Sequence, residues 1–186
     1  MKRLSGKQMF IIKLKCSLIK DWKKRTEYLK KKGIFAHLGD DCCYGTRQIP
    51  EEPYLVKIHN NVVIAADAKF ITHDIINDML ARKLGAQPGE MFSEYTMGTI
   101  EIFDNVAIGS NVIIMPDVKI GPNAIVGTGS IVTKDVPEGA IVGGNPAKII
   151  GSIDNLIEKR KLLKDAPINR TDIDDIMNYY WKNSCN

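Results

Sequence analysis

The chain has no long apolar run. Residues 9–12 form its most hydrophobic N-terminal stretch, and Lys13 ends it. That is too short for a signal-peptide core or a membrane span. Cysteine is sparse and shows no C-x-x-C spacing: Cys16, Cys42, Cys43 and Cys185 are the only four, and adjacent Cys42 and Cys43 are poorly placed to bond each other. Reduced, mostly buried thiols in a cytoplasmic protein are expected, with no metal site. Aromatics make up 7% of the chain and do not stud a basic strip, so the net charge of +4 does not point to nucleic acid. Histidine occurs only at His37, His59 and His73, which leaves three candidates for any imidazole chemistry.

What is present is a period of six. Ile102, Ile108, Ile114, Ile120, Val126 and Val132 follow one another at six-residue steps. A second column, four places behind the first, reads Val106, Val112, Val118, Ala124, Ser130, Val136. An α-helix at 3.6 residues per turn would carry such a stripe off its face within a few repeats. A fixed short period indicates a solenoid, in which short strands end at turns and repeat one inward contact. Asn105, Asn111 and Asn123 stand where turns need unusual backbone dihedrals.

At 186 residues the chain is long enough for one core with appendages. We divide it into an N-terminal helical segment (1–33), the solenoid domain (34–150) and a C-terminal helical segment (151–186). Residues 1–9 are basic and expected to be loose. Ile11, Leu14, Leu18, Trp22 and Leu29 recur at helical spacing, which predicts one amphipathic helix over 10–32 stopped by Gly33. Docking on the solenoid's end or on a partner subunit would cover its apolar face. Weak peripheral contact with an anionic membrane is the sharper alternative. The hexads begin irregularly near Leu38, break over 46–53, and return at Ile58, Ile64 and Phe70. They stop at His73-Asp74 and resume at Ile100 to Ile102. The excursion 74–99, with a short helix over 75–84, has the length of a functional loop. Glycines and prolines over 143–146 close the solenoid. Helices are expected over 154–164 and from about Thr171.

The hexads, followed by Ser130-Ile131-Val132-Thr133-Lys134-Asp135-Val136-Pro137 and Gly144-Asn145-Pro146-Ala147-Lys148, resemble the hexapeptide-repeat acetyltransferases. The branch most similar is that of galactoside, maltose and polysaccharide O-acetyltransferases. The resemblance spans about residues 34–160. It implies a mainly β fold, a left-handed parallel β-helix of triangular coils, assembled as a homotrimer. Left-handed crossovers depart from the general rule for parallel strands, so the handedness rests on the resemblance.

Acyl transfer to a hydroxyl needs a base for the departing proton, and imidazole suits that task at neutral pH. His73 sits where the regular coil breaks into the excursion, the place of the catalytic histidine in similar enzymes. Asp74 either orients that imidazole or caps the next segment. Glu52, just before Pro53, is a candidate for substrate hydroxyls. The acetyl-CoA donor favours cations for its phosphates and backbone donors for its pantetheine arm. By motif match, Lys134 and Lys148 resemble the phosphate contacts, while Thr133, Thr128 and Ser110 resemble groove contacts. The Ser110 amide or its neighbour is the candidate oxyanion donor. Ala107 stands where relatives often carry tryptophan, which leaves the packing of the pantetheine arm open.

The implied reaction is acetyl-CoA-dependent O-acetylation of a small sugar-type acceptor. An antibiotic acetyltransferase of the streptogramin or chloramphenicol kind shares fold and donor. A non-catalytic scaffold would not need the His73 break. A γ-type carbonic anhydrase needs three histidines converging on zinc, but His37, His59 and His73 are not spaced to stack on one face.

Overall fold

The computed structural model describes residues 4–93, 95–163 and 169–182. It divides into two compact units, Met1–Asp154 and Asn155–Asn186.

The first unit is a parallel β-helix. Both hexad columns point inward: Ile108, Ile114 and Val126 are buried, and so are Val106, Val112, Ala124 and Ser130. Each coil therefore stacks the same β-branched contacts on the next and buries most of the apolar surface that stabilises the unit. Asn105, Asn111 and Asn123 occupy the left-handed region, with φ of 61°, 57° and 51°, as do Asp41, Asn61, Asp67 and Asp117. Asn and Asp tolerate this region better than other residues with a side chain beyond glycine, so the turns recur without a glycine at each.

The register gives the coil length. Val106 pairs with Ala124 and Ile113 with Ile131, each 18 positions on. Val62 pairs with Val106, 44 positions on, and the difference of 26 equals the length of the excursion 74–99. The excursion is therefore looped out between stacked coils and leaves their register intact. Where it leaves the coil, His73–Asp74 pairs with Thr96–Met97 in a short antiparallel ladder, and Ile76–Lys83 within it is helical.

The N-terminal segment differs from expectation. Two helices replace one: α1 (Gly6–Leu18) and α2 (Trp22–Lys32). Helix α1 starts inside the stretch expected to be loose, because Ser5 and Gln8 form a reciprocal capping box. Asp21 caps α2 by accepting from the Lys24 amide at 2.9 Å. Ile12 and Cys16 of α1 face the core, whereas Ile11, Leu14 and Leu18 are exposed.

Buried Arg25 ties the break between the helices to the first coil. Its guanidinium donates to Ile19 O (2.6 Å), Lys20 O (3.2 Å) and Gly45 O (2.6 Å). Among the described residues, carbonyl dipoles alone satisfy a cation that is 2% exposed. Cys16 and Cys42 are buried and Cys43 half-buried, and burial pushes all three thiols up. Cys185 lies outside the described residues.

At the other end, Ala140–Gly143 and Lys148–Ser152 form an antiparallel hairpin. It covers a strand edge that the parallel ladder would leave open. Helix α3 is Ile76–Lys83, α4 is Ile153–Lys161 and α5 is Ile173–Lys182. The expected end of α4 at Lys164 lies outside the described residues. No described helix is long and apolar enough to cross a membrane.

Candidate active site

The loop over 46–53 breaks the hexads and carries Glu52 to His73. Ile49 anchors this loop in the core, and Pro53–Leu55 forms a single 3-10 turn that returns the chain to the coil. Glu52 Oε2 lies 2.8 Å from His73 Nδ1 and accepts from Thr72 Oγ1 at 2.6 Å. Thr72 is buried, and the side chains of His73 and Glu52 are 30% and 15% exposed.

An ionised carboxylate only accepts hydrogen bonds, so the facing Nδ1 carries a proton. In the neutral ring that leaves the lone pair on Nε2. A histidine held in this tautomer is prepared to take a proton from a group in front of Nε2.

Asp74, expected either to orient the imidazole or to cap, has its Oδ1 on the Ile76 amide at 3.0 Å. In this structure the carboxylate beside His73 is that of Glu52, the residue that the sequence offers as a contact for substrate hydroxyls. Two neighbours were missed. Thr72 holds Glu52 from the adjacent position. Tyr95, at the end of the excursion, brings its ring to 5.7 Å from the His73 ring. A lone tyrosine in an irregular loop gives no sequence signal. Its place depends on the ladder that pairs His73 with Met97.

The donor-side residues border one three-stranded sheet, formed by Lys69–Phe70, Ile113–Ile114 and Ile131–Val132. Ser110 and Thr128 lie at the corner leading into it, one coil apart, and Ser110 O accepts from Gly129 N at 2.9 Å. The coils are tight here: a Cβ on Gly109 would fall 2.5 Å from Thr128 N. Thr133 and Lys134 follow the third strand, and His73 follows the first. With strands about 4.8 Å apart, these rows are separated by roughly 10 Å.

Residues 144–147 run along the outer edge of this sheet. Gly144 O accepts from Ile131 N (3.0 Å) and Ala147 N donates to Ile131 O (2.8 Å), which places Lys148 next to that edge. Lys134 and Lys148 are exposed, and neither is in an ion pair among the described residues. Two free cations beside a sheet with accessible turns suit a polyphosphate donor with a flexible arm.

His37 and His59 are elsewhere, on the sheet that contains Val56–Ile58 and Ile100–Ile102 or at its corner. Their rings are 5.6 Å apart. No cluster of three metal-ligating side chains occurs among the described residues.

A parallel β-helix of six-residue repeats, looped out at one coil, is the architecture of the hexapeptide-repeat transferases. The profile described as Bacterial transferase hexapeptide (six repeats) matches residues 99–134. Protein CapG of Staphylococcus aureus is 38% identical over 86% of this chain and 85% of its own length. The galactoside O-acetyltransferase of Escherichia coli is 38% identical over 63% of this chain and 53% of its own length. A hexapeptide-repeat acetyltransferase of Vibrio cholerae, solved in complex with acetyl-coenzyme A, superposes with a TM-score of 0.54. It is 27% identical and the match covers 79% of this chain and 86% of that one. The chain belongs to the hexapeptide-repeat acetyltransferase superfamily. It is an acyltransferase.

Proposed function

We propose that the chain is an O-acetyltransferase acting on a hydroxyl of a sugar or of a cell-surface polysaccharide precursor, with His73 as general base. The contact between His73 Nδ1 and Glu52 Oε2 at 2.8 Å carries the proposal. It fixes the imidazole in the tautomer with a free Nε2 lone pair. The acceptor hydroxyl gives its proton to Nε2 as its oxygen attacks the acetyl carbonyl of acetyl-CoA. The thioester C–S bond breaks, and the CoA sulfur leaves as thiolate and takes the proton from Nε2, which restores the neutral imidazole. No acetyl-enzyme is required, because a ternary complex holds both substrates.

Glu52 acts here as a positioning residue, and Asp74 supports the turn into α3. Lys134 and Lys148 bind the CoA phosphates, while Ser110, Thr128 and Thr133 line the pantetheine groove. The likeness to a galactoside O-acetyltransferase and the tyrosine beside His73 support a sugar acceptor, since an aromatic face packs against a sugar's C–H surface.

The catalytic solenoid, 34–150, works as a homotrimer. The outward column Val63, Ala107, Ile125 and Ile141 is apolar along one sheet face, as a face meeting a neighbouring subunit would be. The test is acetyl-CoA turnover against sugars, nucleotide sugars and antibiotics, with light scattering on the same sample. Turnover with a sugar hydroxyl, in a trimer, and lost in His73→Ala supports the proposal. Turnover confined to antibiotics, or an active monomer, would overturn the corresponding part.

A further inference from the structure

Helix α1 is apolar on two opposite sides. Ile12 and Cys16 face the core. Phe10, Ile11, Leu14 and Leu18 are 50% to 71% exposed. At about 100° per residue these four span an arc of roughly 100°, centred opposite the buried pair. Lys13 and Lys15 stand at the two margins of that arc. Lys13 meets Glu51 at 2.7 Å and Lys15 lies over the Tyr28 ring. Trp22, at the start of α2, is 43% exposed with Lys23 over its ring.

The charge of the chain is segregated to match. Residues 1–33 hold 12 of the 26 Lys and Arg and 2 of the 22 Asp and Glu, a net of +10. The remaining 14 basic and 20 acidic residues give the rest of the chain −6. An exposed apolar arc bordered by lysines, with a tryptophan at its end and a concentrated positive charge around it, has the composition of a helix that lies in a membrane interface.

We infer that α1 is a peripheral anchor that docks this acyltransferase on an anionic lipid surface. Phe10, Ile11, Leu14 and Leu18 enter the headgroup–acyl boundary, and the surrounding lysines meet the headgroup charge. The charge argument selects this occupant over a second copy of the chain. A lipid surface is anionic over its whole area, whereas a neighbouring copy offers −6 dispersed outside residues 1–33 and a +10 segment that would repel its equivalent.

The experiment uses the full chain with phosphatidylcholine vesicles, made with and without phosphatidylglycerol. Trp181→Phe leaves Trp22 as the only tryptophan. Expected results are co-sedimentation with the anionic vesicles only, a blue shift of Trp22 emission on binding, and release at high salt. Leu14→Asp with Leu18→Asp should weaken binding by about tenfold or more while acetyl-CoA turnover stays unchanged. Lys20→Glu with Lys24→Glu, both outside α1, should also weaken it by about tenfold or more. Wild-type protein that stays in the supernatant, equal binding to neutral vesicles, or unchanged binding in the lysine variant would overturn the inference. So would a change of molecular mass in light scattering for the leucine variant, which would assign the face to a second copy.

Discussion

His59 Nε2 lies 3.0 Å from Glu101 Oε1, a second imidazole–carboxylate pair built with the opposite ring nitrogen from the one His73 gives to Glu52. The His59 ring stacks on Phe103 at 5.2 Å, and Lys57 Nζ stands 3.8 Å from the same Glu101 oxygen. The pair is set in a charged ladder on a regular coil, with no break in the solenoid beside it. It serves as the internal control for the catalytic assignment. His59→Ala should leave kcat within about twofold of wild type, whereas His73→Ala should lower it by about 10² to 10⁴.

Glu101 also predicts a pH effect. The hydrogen bond from His59, followed by the charges of Lys57, His59 and Lys119, holds its carboxyl below the usual carboxylate range. A depressed folded-state pKa contributes stability that is complete above the unfolded value, about 4.3, and is lost as pH falls through the folded value. The melting temperature of Glu101→Gln should therefore lie below that of wild type near neutrality. The gap should close in the acid range, below about pH 4.3. A gap that persists unchanged at the acid end would mean that Glu101 stabilises by packing rather than by charge.

Arg25 makes a stability prediction. Its carbonyl partners lie in the break between α1 and α2 and at the start of the solenoid, so Arg25→Met leaves several buried acceptors without donors. The expected cost is on the order of 3 kcal/mol, or a fall of roughly 6 to 12 °C in melting temperature for a chain of this size. Differential scanning calorimetry would measure it, and a fall of less than a degree would remove Arg25 from the account.

The hexads were legible because one period governs every coil: whichever residue leads, the same two columns turn inward. Positions Asn105, Asn111 and Asn123 were legible for the same reason. The helical break at residues 19–21 was not, since Ile19-Lys20-Asp21 contains neither glycine nor proline and the apolar spacing runs through it. Arg25 could not be told from the lysines around it, because its burial depends on carbonyls about 20 residues away. The strand Lys148–Ser152 is mostly exposed and lacks the inward columns that reveal the others. At the candidate site, the place of His73 could be read from the end of the pattern. Its carboxylate partner could not, because Glu52 reaches it across the irregular loop 46–53, where no period applies.

Glu52 can be tested by chemistry that separates positioning from binding. Gln in its place keeps the shape and can turn an amide N–H toward Nδ1, which would favour the tautomer with its lone pair on the wrong nitrogen. Glu52→Gln should lower kcat by about 10² with the KM for acetyl-CoA little changed. Glu52→Asp should restore part of the loss, because the acceptor returns even though the reach is shorter. A variant that raises the KM for the acceptor at constant kcat would instead return Glu52 to the substrate-binding role.

Lys134 and Lys148 lie near the same sheet but come from different elements, the last turn of the regular coil and the start of the closing hairpin's second strand. If both meet CoA phosphates, each acts through charge at an exposed position, where such contacts are modest and screened. Lys134→Ala and Lys148→Ala should each raise the KM for acetyl-CoA by about three- to tenfold with kcat nearly constant, since the phosphates are bound equally in ground and transition states. The difference from wild type should shrink at high salt, where screening has already weakened the attraction. Dephospho-CoA derivatives provide the decisive arm. A lysine that meets the 3′-phosphate should lose its effect when that phosphate is absent, while a lysine on the diphosphate should keep it. If KM is unchanged in both variants at low salt, the two lysines are surface charges and the donor is held elsewhere on the coil.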